Sequence, residues 1–339
     1  MAKFLIIRFS SIGDIVLTTP VTRCLRKKFP TAEIHFLVKK AFKTIVEHNP
    51  YIDKIHVLAE NVPEIVEQLG QEKFDYIIDL HHNLRTLKIK KYLKDVKAFS
   101  FNKLNIEKYL LTALKINILP HKHIVDRNIE TLSYFGIEND GLGLDYFVPD
   151  KDIVLEEDIP ATHKEGYIAI VIGASLATKK MPLHLLEKLC LAIDYPVILL
   201  GAKEEAAEGD VLEALDRQKI YNACGKFNIN KSSDFTRKAK LVIAHDTGLM
   251  HIAAAFKKPI IAVWGNTVPI FGMYPYYGSK SNQQYYNSEV LNLWCRPCSK
   301  IGYKKCPLGH FKCMEKNDVA ALALLANNII KRNAVQNNG

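Results

Sequence analysis

Short apolar runs alternate with amphipathic stretches along most of the chain. In the first half, the apolar runs predict strands at Lys3–Phe9, Glu33–Val38, Lys54–Leu58 and Tyr76–Leu80, and the segments between them have helical periodicity. A polar, acidic stretch around Glu138–Gly166 interrupts this pattern. The pattern then restarts with predicted strands at Tyr167–Gly173, Val197–Gly201, Leu241–His245 and Ile260–Trp264. Alternating strands and helices indicate parallel sheets covered by helices, so we expect two α/β domains, residues 1–150 and 151–339.

One turn in the second half has the sequence of a phosphate site. Asp246, Thr247 and Gly248 follow a predicted strand and precede a helix that contains His251. A strand that turns into a helix presents backbone N–H groups to a phosphate, and a glycine at the turn lets a diphosphate approach the backbone. Thr247 adds a hydroxyl, and Asp246 and His251 are candidates for contacts with sugar hydroxyls. Alternatively, Asp246 and Thr247 cap the helix and His251 is a buried structural histidine.

A second candidate site follows the first predicted strand. Ser10, Ser11 and Gly13 form a turn rich in hydrogen-bond donors, and Asp14 lies at the start of the next helix. Open α/β sheets build their binding sites at the carboxyl ends of strands, where an ionised carboxylate can accept a proton from an attacking hydroxyl. The alternative interpretation of Asp14 is a helix-capping residue.

Several function classes are disfavoured by missing motifs. Neither half has G-x-G-x-x-G after its first predicted strand, and the P-loop sequence is absent, which argues against dinucleotide-dependent oxidoreductases and P-loop kinases or ATPases. No uninterrupted apolar stretch reaches about 18 residues, and Arg8 interrupts the first apolar run. We therefore expect a cytoplasmic protein without a membrane span.

The chain is basic, with a formal net charge of +10. Its excess charge lies mainly in two runs of the first half: Arg23, Arg26, Lys27, Lys28, Lys39, Lys40 and Lys43, and then Arg85, Lys88, Lys90, Lys91, Lys94 and Lys97. Such runs favour an acidic partner such as a phosphorylated lipid, an anionic saccharide or a membrane surface. They are also compatible with solvated helix faces. Nucleic acid is not expected as a partner, because no known binding module is present and aromatic residues do not interleave with the basic ones.

Taken together, the Ser10-Ser11-Ile12-Gly13-Asp14 turn and the Asp246-Thr247-Gly248-x-x-His251 turn resemble those of glycosyltransferase family 9, the ADP-heptose:lipopolysaccharide heptosyltransferases. The resemblance covers nearly the whole chain. It implies the GT-B fold, in which two Rossmann-like domains face each other across a cleft, with the acceptor on the amino-terminal side and the nucleotide sugar on the carboxyl-terminal side. It also implies inverting transfer that requires no metal cofactor.

The resemblance assigns roles to individual residues. Asp14 matches the general base, Thr247 and Gly248 match the diphosphate-binding turn, and Asp246 lies beside the donor sugar. In the loop after the first strand of the second domain, Thr178 and Lys179 match a hydroxyl residue and a lysine that contact the diphosphate. A lysine is suited to this place because the departing diphosphate gains negative charge. The adjacent Lys180 leaves the register open, and both lysines are also compatible with a solvated pair.

A further loop of the first half resembles the family's Asp-x-x-x-Asn-x-Arg sequence. It follows the strand that ends near Asp79, and it supplies Asn83 and Arg85 as candidate contacts to an acidic acceptor, together with Ser10, Ser11 and Gly13. Alternatively, Asp79 caps the next helix. No assignable pattern for adenine recognition is found in Gly225–Asn230.

The cysteines add a feature that the transfer chemistry does not require. Four of the seven have the spacing Cys295-x2-Cys298-x7-Cys306-x6-Cys313, and the others, Cys24, Cys190 and Cys224, lie in apolar contexts that predict burial. In a reducing compartment the four-cysteine spacing favours a structural zinc site, with free thiols and disulfides as alternatives.

The resulting hypothesis is an inverting glycosyltransferase that moves heptose from ADP-heptose to an acidic acceptor in the lipopolysaccharide inner core, in peripheral contact with the inner face of the cytoplasmic membrane. The alternatives are a UDP- or GDP-linked sugar as the donor, and a non-catalytic module that binds nucleotides or a lipid surface.

Overall fold

The computed structural model describes residues 1–58 and 62–337, and the chain divides into two compact units. Unit 1 comprises Met1–Asn105, His121–Phe147 and Tyr276–Ser281. Unit 2 comprises Ile106–Pro120, Val148–Pro275 and Asn282–Gly339. The main change from one unit to the other falls after Phe147, but two short segments are exchanged, so neither unit is one continuous stretch of chain.

Unit 1 contains a five-stranded sheet whose neighbouring strands are all parallel. Its strands are β1 (Lys3–Ile7), β2 (Glu33–Lys39), β3 (Lys54–Leu58), β4 (Tyr76–Asp79) and β5 (Lys97–Ser100), in the order β3-β2-β1-β4-β5. The central strand β1 is apolar and fully buried from Phe4 to Ile7, as expected of a parallel strand covered on both faces.

Unit 2 contains a six-stranded sheet in which all neighbouring strands are again parallel. Its strands are β6 (Ile168–Val171), β7 (Val197–Leu200), β8 (Ile220–Asn222), β9 (Leu241–His245), β10 (Ile260–Trp264) and β11 (Tyr285–Glu289), in the order β11-β10-β9-β6-β7-β8. Side chains from the strands and from the helices packed on them form one apolar core that includes Leu186, Leu199, Ile243 and Ala326.

Helices connect and cover the strands. They are α1 (Ile12–Val16), α2 (Thr19–Lys28), α3 (Val62–Gln71), α4 (Leu84–Tyr92), α5 (Asn105–Tyr109), α6 (Ile124–Ile129), α7 (Leu183–Ala192), α8 (Ala206–Glu213), α9 (Ile229–Lys238), α10 (Gly248–Ala255), α11 (Lys312–Glu315) and α12 (Val319–Asn337). Short 3-10 turns lie between them, one of them at Ala177–Lys179. Within the described residues, none of these helices is both long and apolar enough to cross a lipid bilayer.

Each sheet reverses its strand order at one place, and this determines where a ligand can bind. In unit 1 the order reverses between β1 and β4, and in unit 2 it reverses between β6 and β9. At such a switch point the connections leave the two neighbouring strands in opposite directions, which opens a crevice at their carboxyl ends. The candidate residues for donor and acceptor binding follow these four strands.

The structure adds three strands that the apolar pattern does not predict, β5, β8 and β11. All three lie at sheet edges; β5 and β11 have partly exposed side chains, and β8 has only three residues. An edge strand packs against fewer neighbours, so its sequence needs less apolar character.

Three cysteines outside the four-cysteine spacing are buried, as their apolar sequence contexts predict. They are Cys24, Cys190 and Cys224.

The basic run of α2 is divided, because Lys27 and Lys28 are exposed whereas Arg23 is buried. Arg23 is 2% exposed and forms ion pairs with Asp140 and Asp145, while Lys27 pairs with Asp140 and Arg26 with Asp53. Burying a guanidinium is tolerated here because carboxylates neutralise its charge. The prediction of an acidic partner for Arg23 is therefore wrong, since its partners lie more than a hundred residues away in the same unit.

Candidate active site

An ion pair joins the two loops at the switch point of unit 2. Lys179, in the loop after β6, places its Nζ 2.6 Å from Oδ2 of Asp246, which directly follows β9. Both side chains are largely buried, with exposed fractions of 14% and 9%. The pair fixes the lysine at the carboxyl edge of the sheet, within reach of the start of α10.

The two adjacent lysines, Lys179 and Lys180, have different carboxylate partners. Lys180 points to the other side of the loop, where its Nζ lies 3.2 Å from Glu205 and 3.1 Å from Glu208. With two carboxylates as partners, Lys180 ties the loop to the start of α8. Lys179 is therefore the lysine at the candidate phosphate site.

Thr247 and Gly248 form the amino terminus of α10. Thr247 is the N-cap residue, yet its side chain makes no capping hydrogen bond, and its Oγ1 is buried without a hydrogen-bond partner in the part of the chain that the structure describes. A helix that begins without a side-chain cap leaves backbone N–H groups available to an anion. His251, one turn further on, is 1% exposed and lies inside the helix packing.

Thr178 is also close to this site, but its hydroxyl faces a different loop. Its Oγ1 accepts a hydrogen bond from the N–H of Tyr303 (2.7 Å) and donates one to the Tyr303 carbonyl (3.1 Å). The Thr178 N–H donates to the same carbonyl. The side chain is thus engaged by residues 295–313, which we call the cysteine loop.

A third loop at this edge, Gly265–Thr267 after β10, was not among the sequence candidates. The Thr267 hydroxyl donates to Oδ2 of Asp246 (3.2 Å), so it supports the carboxylate that holds Lys179. Asn266 is 1% exposed, and neither of its amide atoms has a hydrogen-bond partner among the described residues. The polar Asn-Thr pair after an apolar strand is the sequence signal that could have identified this loop.

His245 supports the same site from inside the sheet. Its Nε2 accepts a hydrogen bond from the Met181 N–H (2.9 Å), which links the end of β9 to the loop after β6. Burial lowers the pKa of His245 to about 4, so the imidazole is neutral at physiological pH and keeps this acceptor.

In unit 1, Asp14 lies at the carboxyl edge of the sheet with each oxygen held by a neighbour. Oδ1 is 2.6 Å from Nη2 of Arg8, and Oδ2 accepts hydrogen bonds from the Ser11 hydroxyl (2.8 Å) and the Ser11 N–H (3.2 Å). Asp14 is therefore the third helical residue of α1 in a capping box with Ser11, and its side chain remains 23% exposed. Gly13 precedes it in the helix and is buried.

Arg8 was not predicted, although it sits between the strand and the Ser10 turn. Its Nε donates to the Ser10 carbonyl (2.9 Å), so a buried guanidinium fixes both the turn and the carboxylate. Near Arg8 and Asp14, burial lowers the pKa of His81 to about 4, so this imidazole is neutral as well.

The loop after β4 is organised around a buried carboxylate. Asp79 is 0% exposed, accepts hydrogen bonds from the His81 and His82 N–H groups, and pairs with Lys90 at 2.8 Å. Burial alone would raise the pKa of Asp79, but the contacts with Lys90 and His82 hold it below the usual value. The loop is thus built on the buried carboxylate of Asp79, whose negative charge is paired with Lys90.

Asn83 and Arg85 have different surroundings in this loop. Oδ1 of Asn83 accepts hydrogen bonds from the N–H groups of Arg85 (2.9 Å) and Thr86 (3.0 Å), so Asn83 is the N-cap of α4. The Arg85 side chain is exposed and lines an open groove of about 750 Å³ between α3 and α4. Capping is therefore performed by Asn83, whereas the sequence alternative assigned it to Asp79.

The four cysteines of the cysteine loop surround a small cavity of about 30 Å³ in unit 2, together with His310 and Asn266. None of the four forms a disulfide. Burial, with a smaller contribution from the neighbouring thiols of Cys298, Cys306 and Cys295, raises the pKa of Cys313 to about 11. The loop thus places four thiols around one small cavity.

Another buried polar cluster lies in unit 1, where His35, His56 and Glu72 place three ligand-type atoms within 4.8 Å of one another. Glu72 also forms ion pairs with Lys3 and Lys54. Two ammonium groups already supply the positive charge that this carboxylate needs. We interpret the cluster as a structural network.

The two sets of residues suit different steps of a group transfer. In unit 2, a lysine, an uncapped helix start and a buried hydroxyl can hold a diphosphate. In unit 1, a partly exposed carboxylate held by an arginine can accept a proton from a hydroxyl. Both sets lie where open α/β sheets bind ligands.

Comparison with known proteins identifies the family of this chain. The family described as glycosyltransferase family 9 (heptosyltransferase) matches residues 62–308. Lipopolysaccharide heptosyltransferase 1 of Campylobacter coli is 26% identical over 290 residues, covering 78% of this chain and 84% of its own length.

Two solved structures show the same fold. A glycosyltransferase family 9 protein from Veillonella parvula has a TM-score of 0.75 at 19% identity and covers 98% of both chains. The E. coli heptosyltransferase WaaC, solved with ADP-2-deoxy-2-fluoro heptose, has a TM-score of 0.67 at 17% identity and covers 96% of this chain and 99% of its own. The fold is therefore GT-B, as predicted. Because the family match covers well over half of the chain, this protein belongs to glycosyltransferase family 9 and is a glycosyltransferase.

Proposed function

We propose that this enzyme transfers heptose from ADP-heptose to an acceptor in the lipopolysaccharide core, with inversion at the transferred carbon. The observation that carries the proposal is the Lys179–Asp246 pair beside the uncapped start of α10, because it is a ready-made diphosphate site. The activity of the C. coli relative and the ligand of the E. coli structure support ADP-heptose as the donor.

On the donor side, the diphosphate lies at the amino terminus of α10. The Gly248 backbone and the Thr247 hydroxyl donate hydrogen bonds to it, and Lys179 neutralises part of its charge. Asp246 then has two tasks, since it orients Lys179 and lies next to the sugar. His251 is buried beneath this turn and supports its packing, with the sugar hydroxyls as its alternative partners.

On the acceptor side, Asp14 accepts the proton of the attacking hydroxyl. Arg8 and Ser11 orient the carboxylate, so that it needs little rearrangement when the hydroxyl arrives. As the carbon–oxygen bond forms, the bond from the sugar to the diphosphate breaks, and ADP leaves with the negative charge that Lys179 stabilises. A single displacement of this kind inverts the reacting carbon.

The acceptor is acidic and attached to lipid, and α4 has a surface that suits it. Leu84, Leu87 and Tyr92 are 77%, 48% and 56% exposed, and Arg85, Lys88 and Lys91 lie between them. Exposed apolar side chains among cations match the interface of an anionic membrane. We propose that α4 contacts the cytoplasmic membrane surface while the core acceptor is bound.

The decisive experiment incubates the purified enzyme with ADP-heptose and a lipopolysaccharide core that lacks heptose, and it measures ADP release and the mass of the product. Matched reactions contain UDP- or GDP-linked sugars. Product formed with ADP-heptose alone supports the proposal. Product formed only with another nucleotide sugar would replace the donor, and nucleotide binding without release would indicate a non-catalytic module.

A further inference from the structure

The cavity inside the cysteine loop is lined as a metal site would be. The thiols of Cys295, Cys298, Cys306 and Cys313 surround a space of about 30 Å³. Four thiolates are a complete ligand set for one tetrahedral zinc or iron ion. Apart from the short helix α11, residues 295–313 contain no helix or strand.

Asn266 provides an independent observation that points to a ligand. It lines the same cavity, it is 1% exposed, and both of its amide atoms are without a hydrogen-bond partner among the described residues. A buried amide without a partner is costly, and a metal-bound thiolate is an acceptor for its N–H. The residues present therefore fit a thiolate-bound ion.

The sulfur atoms are spaced more widely than in a filled site. Among the described residues, the group whose ligand atoms all lie within 4.8 Å of one another is His35, His56 and Glu72, so no three sulfurs of the loop are this close. Zinc–sulfur bonds of about 2.3 Å place tetrahedral sulfur ligands roughly 3.8 Å apart. The sulfur atoms must therefore move closer together to bind an ion.

We infer that the cysteine loop binds one thiophilic metal ion, zinc or iron, and that this ion holds the diphosphate-binding loop in its active position. The second half of the inference rests on the proposed function, because it assumes that Lys179 contacts the nucleotide diphosphate.

The first connection between the two loops runs through Thr178 and Tyr303. The hydroxyl and the N–H of Thr178 both bond to the backbone of Tyr303, which lies between Cys298 and Cys306. Thr178 is 3% exposed and directly precedes Lys179. Tyr303 therefore fixes the backbone from which Lys179 extends.

The second connection runs through Arg296, the neighbour of Cys295. Its Nε donates to the Gly265 carbonyl (2.7 Å) and its Nη2 to the Thr267 carbonyl (2.9 Å). Thr267 in turn donates to Asp246, the partner of Lys179. The cysteine loop thus supports both members of the Lys179–Asp246 pair by separate routes.

The loop after β10 lies very close to the loop that carries Lys179. A Cβ on Gly265 would lie 2.4 Å from the Thr178 carbonyl, and the Asn266 N–H donates to that carbonyl at 3.3 Å. The backbones of the Thr178 loop and the Gly265–Thr267 loop are therefore packed directly against each other. Since the cysteine loop bonds to both, we expect an ordered cysteine loop to order the other two.

The test begins with metal content. Zinc and iron are measured by mass spectrometry in the wild-type protein, in Cys298→Ser, and in Cys24→Ala as a matched control outside the loop. We expect about one equivalent in the wild type and the control, and less than about a tenth of an equivalent in Cys298→Ser. Wild-type protein without either metal would overturn the site.

ADP affinity then tests the coupling. Calorimetry compares wild-type protein before and after removal of the metal by a chelator, and again after metal is added back, with circular dichroism to show that the protein stays folded. We expect removal to weaken ADP binding about tenfold and metal addition to restore it. Unchanged affinity after confirmed removal would overturn the positioning role.

The variant Thr178→Val tests the hydrogen bonds between Thr178 and Tyr303 without changing a cysteine of the metal site. It lacks the hydroxyl that bonds to Tyr303, so we expect it to keep its metal and to bind ADP more weakly, with Thr178→Ser restoring the affinity. If Thr178→Val binds ADP as well as wild type, the link is wrong. If the wild type binds no ADP, the proposed function and the positioning role both fail, while the metal content still decides the site.

Discussion

Lys179 and Asp246 are 67 residues apart in the sequence, but the Nζ of the lysine lies 2.6 Å from the carboxylate Oδ2. The pair bridges β6 and β9, the two strands between which the strand order of unit 2 reverses. We therefore propose this edge of the sheet as the binding place of the donor diphosphate.

Replacing Lys179 should strongly impair transfer. In Lys179→Ala the diphosphate loses its cation and faces an unpaired Asp246, so we expect a decrease in kcat/KM of about a hundredfold, measured by ADP release. Lys180→Ala is the matched control, because that lysine pairs with Glu205 and Glu208, and we expect at most about a twofold change. Equal losses in the two variants would contradict the assignment of Lys179.

Replacing Asp14 should separate catalysis from donor binding. Asp14→Asn keeps the shape of the side chain but removes the base, so we expect kcat to decrease by about a hundredfold or more. The affinity for ADP, measured by calorimetry, should stay unchanged. Asp53→Asn, which disrupts a different carboxylate–arginine pair of unit 1, should keep full activity. Wild-type turnover in Asp14→Asn would show that another group accepts the proton.

The Thr247 hydroxyl should contribute directly to nucleotide affinity, because it is buried and unpartnered among the described residues. A hydrogen bond to a charged group contributes roughly 1.5–3 kcal/mol, so Thr247→Val should weaken ADP binding about tenfold or more. Thr247→Ser should recover most of the affinity. A valine variant that binds as tightly as wild type would show that the hydroxyl does not reach the diphosphate.

Acid should destabilise unit 2 through His245. Its pKa is about 4 in the folded protein, compared with 6.5 in an unfolded chain. As the pH decreases below 6.5, only the unfolded state takes up this proton, so stability is lost between about pH 6.5 and 4, by at most about 1.4 kcal/mol per pH unit for this histidine.

The measurement is urea unfolding at pH 7.5 and 5.5, followed by tryptophan fluorescence. Both tryptophans, Trp264 and Trp294, belong to unit 2, so the signal reports on that unit. His245→Gln should show a smaller difference between the two pH values, and His48→Gln, at an exposed position, should behave as wild type. An unaltered difference in His245→Gln would exclude His245 as the source.

The surface of α4 should bind anionic vesicles. In Leu84→Ser/Tyr92→Ser two exposed apolar side chains are lost, and we expect vesicle binding in a sedimentation assay to decrease about tenfold or more. Leu155→Ser, 53% exposed in unit 2, is the control. Binding should also weaken as salt increases, because the lysines act by charge. A double variant that binds as wild type would place the membrane contact elsewhere.

The pattern of strand ends and polar turns was sufficient to predict the α/β class and eight of the strands. Asp246 became a candidate because it directly follows an apolar run, and Asp14 because it lies in the turn after one; the position of a carboxylate after a strand is a local property. The edge strands β5 and β11 were missed because side chains with little burial leave no apolar pattern.

Features that depend on distant partners were not accessible from the sequence. Arg23 looked like part of a basic surface, because Asp140 and Asp145 are far away in the chain. Likewise, the choice between Lys179 and Lys180 depends on which side of the loop faces Asp246, and the bond between Thr178 and Tyr303 spans 125 residues. Such pairings arise from the tertiary structure alone.

The exchange of short segments between the units limits how the gene can be divided or recombined. Tyr276 belongs to unit 1, where it stacks on His123, donates a hydrogen bond to Asp126 and accepts one from Asn139. A fragment that stops at Phe147 lacks this tyrosine. In a chimera of two homologues joined at that single junction, residues 276–281 would come from one homologue and His123, Asp126 and Asn139 from the other. Only a chimera that transfers residues 276–281 together with the first half keeps Tyr276 with its own partners.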